Sequence, residues 1–118
     1  GQVWEAAMFA SHYKLDNLTL FLDFNCLQID GDIRRVLNPT PFDEKYKAFG
    51  WHTIVIDGHN FEEIEKAVAE AEQTKGMPTA IICRTIKGKG VSYMENVADW
   101  HGKAPNEELY KIAKAELA

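Results

Sequence analysis

The sequence predicts an α/β fold of three layers, in which a mostly parallel sheet carries helices on its faces. The first observation is that three strand-like segments alternate with helix-like segments along the chain. The second is that these strand-like segments are apolar throughout, which is typical of parallel strands covered on both sides. Such strands are joined by right-handed crossovers, and 118 residues suffice for one small domain of this kind.

A helical pattern over residues 2–13 opens the chain. Apolar side chains occupy most of its circumference, which predicts a helix buried on several sides. They are Val3, Trp4, Ala6, Ala7, Met8, Phe9, Ala10 and Tyr13. A buried helix at the very start of a chain leads us to expect a missing segment upstream of Gly1, with a processed or tag-cleaved end as the alternative.

The first strand is predicted over Leu18–Phe24, a continuous apolar run that suits a strand covered on both faces. Two prolines then break the chain within residues 38–41. Phe42–Phe49 follows as a short helix that ends at Gly50, and Trp51–Ile56 is the second strand.

The third helix is predicted to begin at Asn60, because Glu63 follows at the spacing of a capping box. Gly76 and Pro78 end it. Its apolar residues form one stripe, made of Phe61, Ile64, Ala67, Val68 and Ala71.

Met77–Ile86 is the third predicted strand, and residues 91–104 are predicted to form a loop. Pro105 suits an early position of the last helix. The apolar side of that helix carries Leu109, Ile112, Ala113 and Leu117. Three strands alone leave sheet edges uncovered, so we expect a partner segment to complete the fold.

Composition excludes some classes of partner. The net charge of −5 argues against a nucleic-acid binder, which needs a basic surface. No apolar run approaches the roughly 18 residues of a membrane span. The two cysteines have no CxxC spacing and the four histidines no HxxxH or HxH spacing, so neither a disulfide framework nor a zinc site within this chain is expected. A reducing, cytoplasmic location fits best.

In open parallel sheets, ligands bind at the carboxyl ends of the strands. The first strand end supplies four side chains with oxygen donors, namely Asp23, Asn25, Gln28 and Asp30. Oxygen ligands suit magnesium or calcium, and the main-chain carbonyl of Leu27 could join Asn25. The alternative is an Asx-rich turn with Asp30 and Gly31 at its corner.

Two later segments also carry candidate binding residues. Residues 85–90 (Thr-Ile-Lys-Gly-Lys-Gly) combine two glycines, which let the backbone approach a ligand, with two lysines that favour phosphate. A solvated glycine turn is the alternative. His101, between Trp100 and Gly102, could donate to a phosphate or be structural. The second strand end, residues 57–60, reads as a turn and helix entry.

Four motifs in register resemble transketolase over nearly the whole chain. They are Asn25–Gly31 (Asn-Cys-Leu-Gln-Ile-Asp-Gly), Asp57–Asn60 (Asp-Gly-His-Asn), Thr85–Gly90 and Trp100–Gly102 (Trp-His-Gly). The similarity is closest to the amino-terminal half, which holds the diphosphate of thiamine diphosphate. The opening helix resembles the one that follows the family's Gly-Asp-Gly metal motif. The resemblance implies that residues 1–118 are the C-terminal portion of an incomplete thiamine diphosphate-binding fold.

The resemblance also implies roles for five residues. Asn25 is similar to the side-chain ligand of the Mg²⁺ or Ca²⁺ ion, and Leu27 to the residue that supplies a main-chain carbonyl to it. Lys87 and His101 resemble residues near the cofactor, with His101 reaching the diphosphate. Ile29 is similar to an apolar residue that lines the thiazolium ring.

Family membership would imply transfer of a two-carbon ketol unit from a ketose phosphate to an aldose phosphate in the pentose phosphate pathway. The Gly-Asp-Gly aspartate and the activating glutamate match nothing in this chain. We therefore expect the chain alone to be inactive and to need further transketolase domains or a C-terminal subunit, in a dimer or other homo- or hetero-oligomer. The alternatives are a fragment of the related 1-deoxyxylulose-5-phosphate synthase and a non-catalytic α/β interaction module.

Overall fold

The computed structural model describes all 118 residues and divides them into two compact units. We call Gly1–Phe24 with Thr40–Arg84 the sheet unit, and Asn25–Pro39 with Thr85–Ala118 the hairpin unit. In chain order the elements are α1 (Gln2–His12), β1 (Thr19–Phe24), β2 (Leu27–Gln28), β3 (Gly31–Asp32), α2 (Ile33–Val36), α3 (Phe42–Ala48), β4 (His52–Asp57), α4 (Phe61–Gln73), β5 (Thr79–Arg84), a 3-10 turn (Ala98–His101) and α5 (Glu107–Glu116).

The sheet unit contains the predicted parallel sheet. Its strand order is β1-β5-β4, and both outer strands run parallel to β5. The register places Phe24 and Asp57 on either side of Arg84, so the three strands end level with one another. The central strand is the most buried, because residues 79–82 are all at most 2% exposed. The prediction of an α/β fold with a mostly parallel sheet is confirmed.

Helices cover both faces of this sheet, and successive residues of β5 point to opposite faces and pack against different helices. Ala80 and Ile82 belong to one apolar cluster, which includes residues of α1 and α3. Ile81 belongs to a second cluster with Ile56 of β4 and Ala67 of α4. The three layers expected from the sequence are therefore present.

Trp51 anchors the larger cluster through a buried hydrogen bond. Its indole Nε1 donates to the carbonyl of Ala7 in α1 at 2.9 Å, and its ring meets Tyr46 edge-on at a centroid distance of 5.3 Å. Burial raises the pKa of the Tyr46 hydroxyl. The sequence predicted Trp51 only as a strand residue, but it ties α1 and α3 to the sheet.

The entry to α4 is confirmed at Asn60. Its Oδ1 accepts hydrogen bonds from the backbone N–H groups of Glu62 and Glu63, which otherwise lack partners at a helix start. The Glu63 carboxylate accepts from the backbone N–H of Asp57, so helix entry and strand end are fastened together.

Two predictions about burial are wrong for this chain. Helix α1 buries one face, at Ala7 and Ala10, and leaves several large apolar side chains more than half exposed. These are Val3, Met8, Phe9 and Tyr13. Strand β1 alternates between half-buried and exposed residues, with Phe21 51% exposed, and is not covered on both faces. An apolar pattern shows which side chains favour burial, but it does not show which part of a structure covers them.

The hairpin unit contains elements that the sequence did not reveal. Strands β2 and β3 pair antiparallel over two residues each, and α2 follows directly. Segments this short show no measurable periodicity. Helix α5 begins after Asn106, whose Oδ1 accepts from the Leu109 N–H at 2.9 Å. Pro105 therefore precedes the cap, and the prediction that it occupies an early helical position is wrong.

None of the helices in the chain combines the length and apolar character that crossing a bilayer requires. Both cysteines, Cys26 and Cys83, are free thiols.

Shortening Ile81 should destabilise the sheet unit, since this side chain is fully buried in the central strand. We expect Ile81→Ala to lower the free energy of unfolding by about 2–5 kcal/mol, as large-to-small changes in a core do. Urea unfolding measures the loss. The control is Val68→Ala, on the half-exposed side of α4, which should change it by no more than about 0.5 kcal/mol. Equal effects of the two substitutions would contradict this packing.

Candidate functional site

One cavity in the hairpin unit gathers all five residues that the resemblance selects. Its volume is about 420 Å³. The lining residues are Asn25, Leu27, Gln28, Ile29, Asp30, Lys87, Ala98 and His101. Of these, only Ala98 was given no significance in the sequence, because a small apolar residue in a loop carries no distinguishing signal. The second strand end, Asp57–Asn60, belongs to the sheet unit, where it forms the entry of α4.

The first wall of the cavity is a tight turn at Asn25. The Oδ1 atom of Asn25 accepts a hydrogen bond from the Leu27 N–H at 2.9 Å, which is the Asx turn that the sequence allowed. Cys26, between them, has a left-handed backbone with φ of 62°. The Cys26 carbonyl accepts from the Ile33 N–H at 3.1 Å and closes the turn. An amide oxygen has two lone pairs, so this turn leaves Asn25 Oδ1 able to bind a cation as well.

The turn continues into the β2–β3 hairpin, whose tip presents Ile29 and Asp30. Ile29 is 67% exposed although it is a large apolar residue, so it offers an apolar surface to a ligand in the cavity. Gln28 donates through Nε2 to the Leu37 carbonyl, which holds the segment after α2 against the hairpin. The cavity wall therefore combines oxygen acceptors with one exposed apolar side chain.

Lys87 and His101 line the same cavity and can donate hydrogen bonds to an anion. Lys87 is half-buried and its ammonium group makes no ion pair, whereas Lys89 lies 3.9 Å from the Glu95 carboxylate. His101 is exposed and its ring makes no hydrogen bond within the chain. Lys87 and His101 are therefore available to an anionic ligand, and Lys89 is partly neutralised.

The glycines near Lys87 are required by contacts within the protein. Gly88 has φ of 71°, and a Cβ atom there would lie 2.6 Å from Cβ and 2.7 Å from the carbonyl oxygen of Met94. At Gly90, a Cβ would lie 2.8 Å from the Leu117 side chain. Gly88 thus makes room for the loop that follows, and Gly90 makes room for Leu117 at the end of α5. That these glycines also let the backbone approach a ligand stays a prediction.

That loop is closed by backbone hydrogen bonds and ends at His101. The Asn96 N–H donates to the Lys87 carbonyl at 3.0 Å, so residues 87–96 form a compact loop. The Trp100 indole Nε1 then donates to the Tyr93 carbonyl at 3.0 Å, and the two rings pack edge-on at 5.2 Å. In the sequence, Trp100 was prominent only as a neighbour of His101 and as part of the Trp-His-Gly motif, and Tyr93 had no distinguishing signal.

Asp32 and Arg34 form the strongest ion pair near the hairpin. The Asp32 carboxylate accepts from the Arg34 backbone N–H at 2.8 Å and from its Nε at 3.0 Å. These hydrogen bonds, side chain first and backbone second, lower the pKa of Asp32 to about 2. The guanidinium of Arg34 is thereby engaged by a carboxylate at the start of α2.

The donors fit a hard divalent cation only in part. Amide and carbonyl oxygens at Asn25 and Leu27 are ligands that Mg²⁺ and Ca²⁺ accept. No group of three or more histidine, cysteine, aspartate or glutamate side chains in the chain is arranged to hold a metal ion. Asn25 and Leu27 would therefore be one side of a coordination shell that needs ligand or protein oxygens from elsewhere.

Comparisons with known proteins assign the chain to a family. The family model described as "Transketolase, thiamine diphosphate binding domain" matches residues 1–118. The 6-deoxy-6-sulfo-D-fructose transketolase subunit SqwG of Clostridium sp. (strain MSTE9) is 47% identical over 117 residues, covering 99% of this chain and 42% of the relative. One subunit of the apulose-4-phosphate transketolase of Phocaeicola vulgatus is 39% identical over 118 residues, covering 100% of this chain and 42% of the relative.

Solved structures show the same fold. The crystal structure of transketolase from Campylobacter jejuni superposes with a TM-score of 0.89 at 34% identity, covering 96% of this chain and 18% of that one. The chain thus spans less than half the length of these two curated relatives and about a fifth of this structure.

Gly88→Ala should destabilise the loop that carries Lys87, because the added methyl group would meet the backbone of Met94 and the left-handed φ disfavours alanine. We expect a loss of about 1–3 kcal/mol in the free energy of unfolding, measured with urea. Gly102→Ala is the matched control, since its φ is −132° and no atom lies within 4 Å of the new methyl group. If both variants were as stable as the parent, the close approach of Gly88 to Met94 would be wrong.

The Asp32–Arg34 contact should be lost in acid. Because the folded state favours the carboxylate, its contribution to stability is complete above the ordinary pKa of 3.8 and disappears as pH falls through about 2. Carbon-detected NMR titration should give a midpoint near 2 for the Asp32 carboxyl, rising towards 3.8 in Arg34→Gln. Arg35→Gln, which removes only a weaker long-range charge, should move it little. A midpoint that is the same in Arg34→Gln would contradict the assigned cause.

Proposed function

Because this chain belongs to the transketolase family as its thiamine diphosphate-binding domain, we propose that the cavity of the hairpin unit binds the diphosphate end of thiamine diphosphate with a divalent cation. The strongest support is the set of residues that line this one cavity. Neutral oxygen donors at Asn25 and Leu27 line the same space as Lys87 and His101, whose side chains have no partner in the chain.

The oxygen donors would hold the cation. Asn25 Oδ1 and the main-chain carbonyl of Leu27 are neutral, so they would bind Mg²⁺ (or Ca²⁺) together with the charged oxygens of a diphosphate. The hydrogen bond from the Leu27 N–H keeps the Asn25 amide in one orientation before the cation arrives. A preoriented ligand loses less rotational freedom on binding.

Hydrogen-bond donors at Lys87 and His101 would stabilise the charge of the diphosphate that the metal leaves uncompensated. An ammonium group at Lys87 and an imidazole N–H at His101 make charge-assisted hydrogen bonds with phosphate oxygens. Ile29, exposed at the hairpin tip, would contact the thiazolium ring and exclude water from it. These residues bind and orient the cofactor, and none of them needs to change its covalent state.

Bound thiamine diphosphate supplies the carbon nucleophile that such enzymes use to transfer a two-carbon ketol unit. We infer that the donor is a ketose phosphate or a related anionic ketose and the acceptor an aldose phosphate, in the cytoplasm. The names of two relatives, which are subunits of a sulfofructose transketolase and of an apulose-phosphate transketolase, describe anionic sugars and enzymes made of more than one chain. Further transketolase domains or a second subunit, in a dimer or larger oligomer, would complete the site.

Substitution of Asn25 tests the proposed metal ligand. In the full-length protein with its partner domains, Asn25→Ala should weaken Mg²⁺-dependent binding of thiamine diphosphate by about tenfold or more, since one coordination bond is lost. Isothermal titration calorimetry measures the Kd. Asn17→Ala, an exposed asparagine of the sheet unit, is the matched control.

An unchanged Kd in Asn25→Ala would remove Asn25 from the site. The 118 residues expressed alone should bind thiamine diphosphate negligibly even with Mg²⁺, because the two proposed metal ligands, Asn25 and Leu27, are neutral and form only part of a coordination shell. Micromolar binding by this chain alone would show that it holds the complete site.

A further inference from the structure

We propose that Trp100 is a positioning residue that holds His101 in the orientation needed for diphosphate binding. This inference rests on the proposed function, because it assigns a cause to the placement of a residue that the function uses. Trp100 itself does not line the cavity of Asn25, Lys87 and His101. It would act through the backbone that it shares with His101.

No hydrogen bond, ion pair or ring contact of its own fixes the His101 side chain. Its ring makes no hydrogen bond in the chain and is exposed, so only its backbone determines where it can reach. That backbone belongs to the 3-10 turn over Ala98–His101, which is one short turn. Its hydrogen bond from the Trp100 N–H to the Val97 carbonyl is long, at 3.3 Å. A turn of this kind is rarely stable without side-chain anchors.

Trp100 provides that anchor. Its indole Nε1 donates to the Tyr93 carbonyl at 3.0 Å, and its ring lies edge-on to the Tyr93 ring at 5.2 Å with an interplanar angle of 62°. Both residues are only partly exposed, so this hydrogen bond competes with little water. The turn is thereby attached to the loop before it by one polar and one aromatic contact.

Tyr93 is in turn held from two sides. Its hydroxyl donates to the Leu109 carbonyl of α5 at 2.8 Å. Its neighbour Ser92 donates through its backbone N–H and its hydroxyl to the carboxylate of Glu116, at the other end of α5. Tyr93 is therefore held in place by α5. Because Trp100 is bound to Tyr93, the backbone of the next residue, His101, is held as well.

The same loop fixes Lys87. The Asn96 N–H donates to the Lys87 carbonyl, so Tyr93 lies inside a loop whose first residue is the other proposed phosphate-binding residue of the cavity. Trp100 thus sets His101 relative to Lys87. Two hydrogen-bond donors that must contact one diphosphate gain affinity when their separation is fixed in advance.

A double-mutant cycle in the full-length protein with its partner domains separates positioning from stability. The Kd for thiamine diphosphate with Mg²⁺ is measured by calorimetry for the parent, Trp100→Ala, His101→Ala and the double variant. We expect each single substitution to weaken binding by about five- to tenfold. In the His101→Ala background, Trp100→Ala should cost less than twofold, because there is no imidazole left to position.

Two further variants guard against a folding effect. Trp51→Phe removes a comparable indole hydrogen bond, to the Ala7 carbonyl in the sheet unit, and should lower the melting temperature without changing the Kd. Trp100→Phe keeps an aromatic ring against Tyr93 and should restore part of the affinity lost in Trp100→Ala. It replaces Trp100→Ala in the cycle if the alanine variant does not fold.

The possible outcomes are distinct. If the Trp100 substitution weakens binding equally with and without His101, or if Trp51→Phe weakens it as much, the positioning role is wrong while the proposed function stands. If His101→Ala alone leaves the Kd unchanged, His101 does not bind the diphosphate, and both its proposed role and this inference fail.

Discussion

The pairing of β5 with strands on both of its sides is the constraint from which the rest of the structure follows. Residues 79–82 are nearly inaccessible to water, so their backbone groups must find partners in β1 and β4. That pairing sets Phe24 opposite Arg84. The two segments of the hairpin unit continue the chain from these two positions, Asn25 after β1 and Thr85 after β5. Phe24 and Arg84, which are 60 positions apart in the sequence, therefore lie at adjacent strand ends.

Electrostatic pairing decides which cations of the hairpin unit can serve a ligand. Arg34 is engaged by Asp32, Lys103 lies 3.3 Å from the Asp99 carboxylate, and Lys111 lies 2.8 Å from Glu107. Exposed pairs like these contribute little to stability. They do, however, leave fewer positive charges free to compete for an anionic ligand, in a chain whose net charge is −5. Arg35, Lys87 and Lys114 form no ion pair, and of these three only Lys87 lines the cavity.

The predictability of each feature depended on its length and its surroundings. The sheet was predictable because Leu18–Phe24 and its counterparts are long apolar runs, and the start of α4 because Asn60 and Glu63 have a capping spacing. The hairpin was not, since strands of two residues leave no periodic pattern. The site segments were found through a family resemblance and the strand-end rule together. The hydrogen bond from Trp100 to the Tyr93 carbonyl could not be predicted, because every residue has a main-chain carbonyl and the sequence does not show which one accepts.

The left-handed backbone at Cys26 has a consequence for how this turn can vary among related proteins. Glycine, asparagine and aspartate adopt such a conformation easily, unbranched residues tolerate it, and valine or isoleucine resist it. The backbone conformation therefore restricts the shape of the side chain at this position more than its chemistry. A survey that counts identical side chains would score it as unimportant. A survey of the residues that never occur there would instead reveal the left-handed backbone that brings Asn25 and Leu27 together.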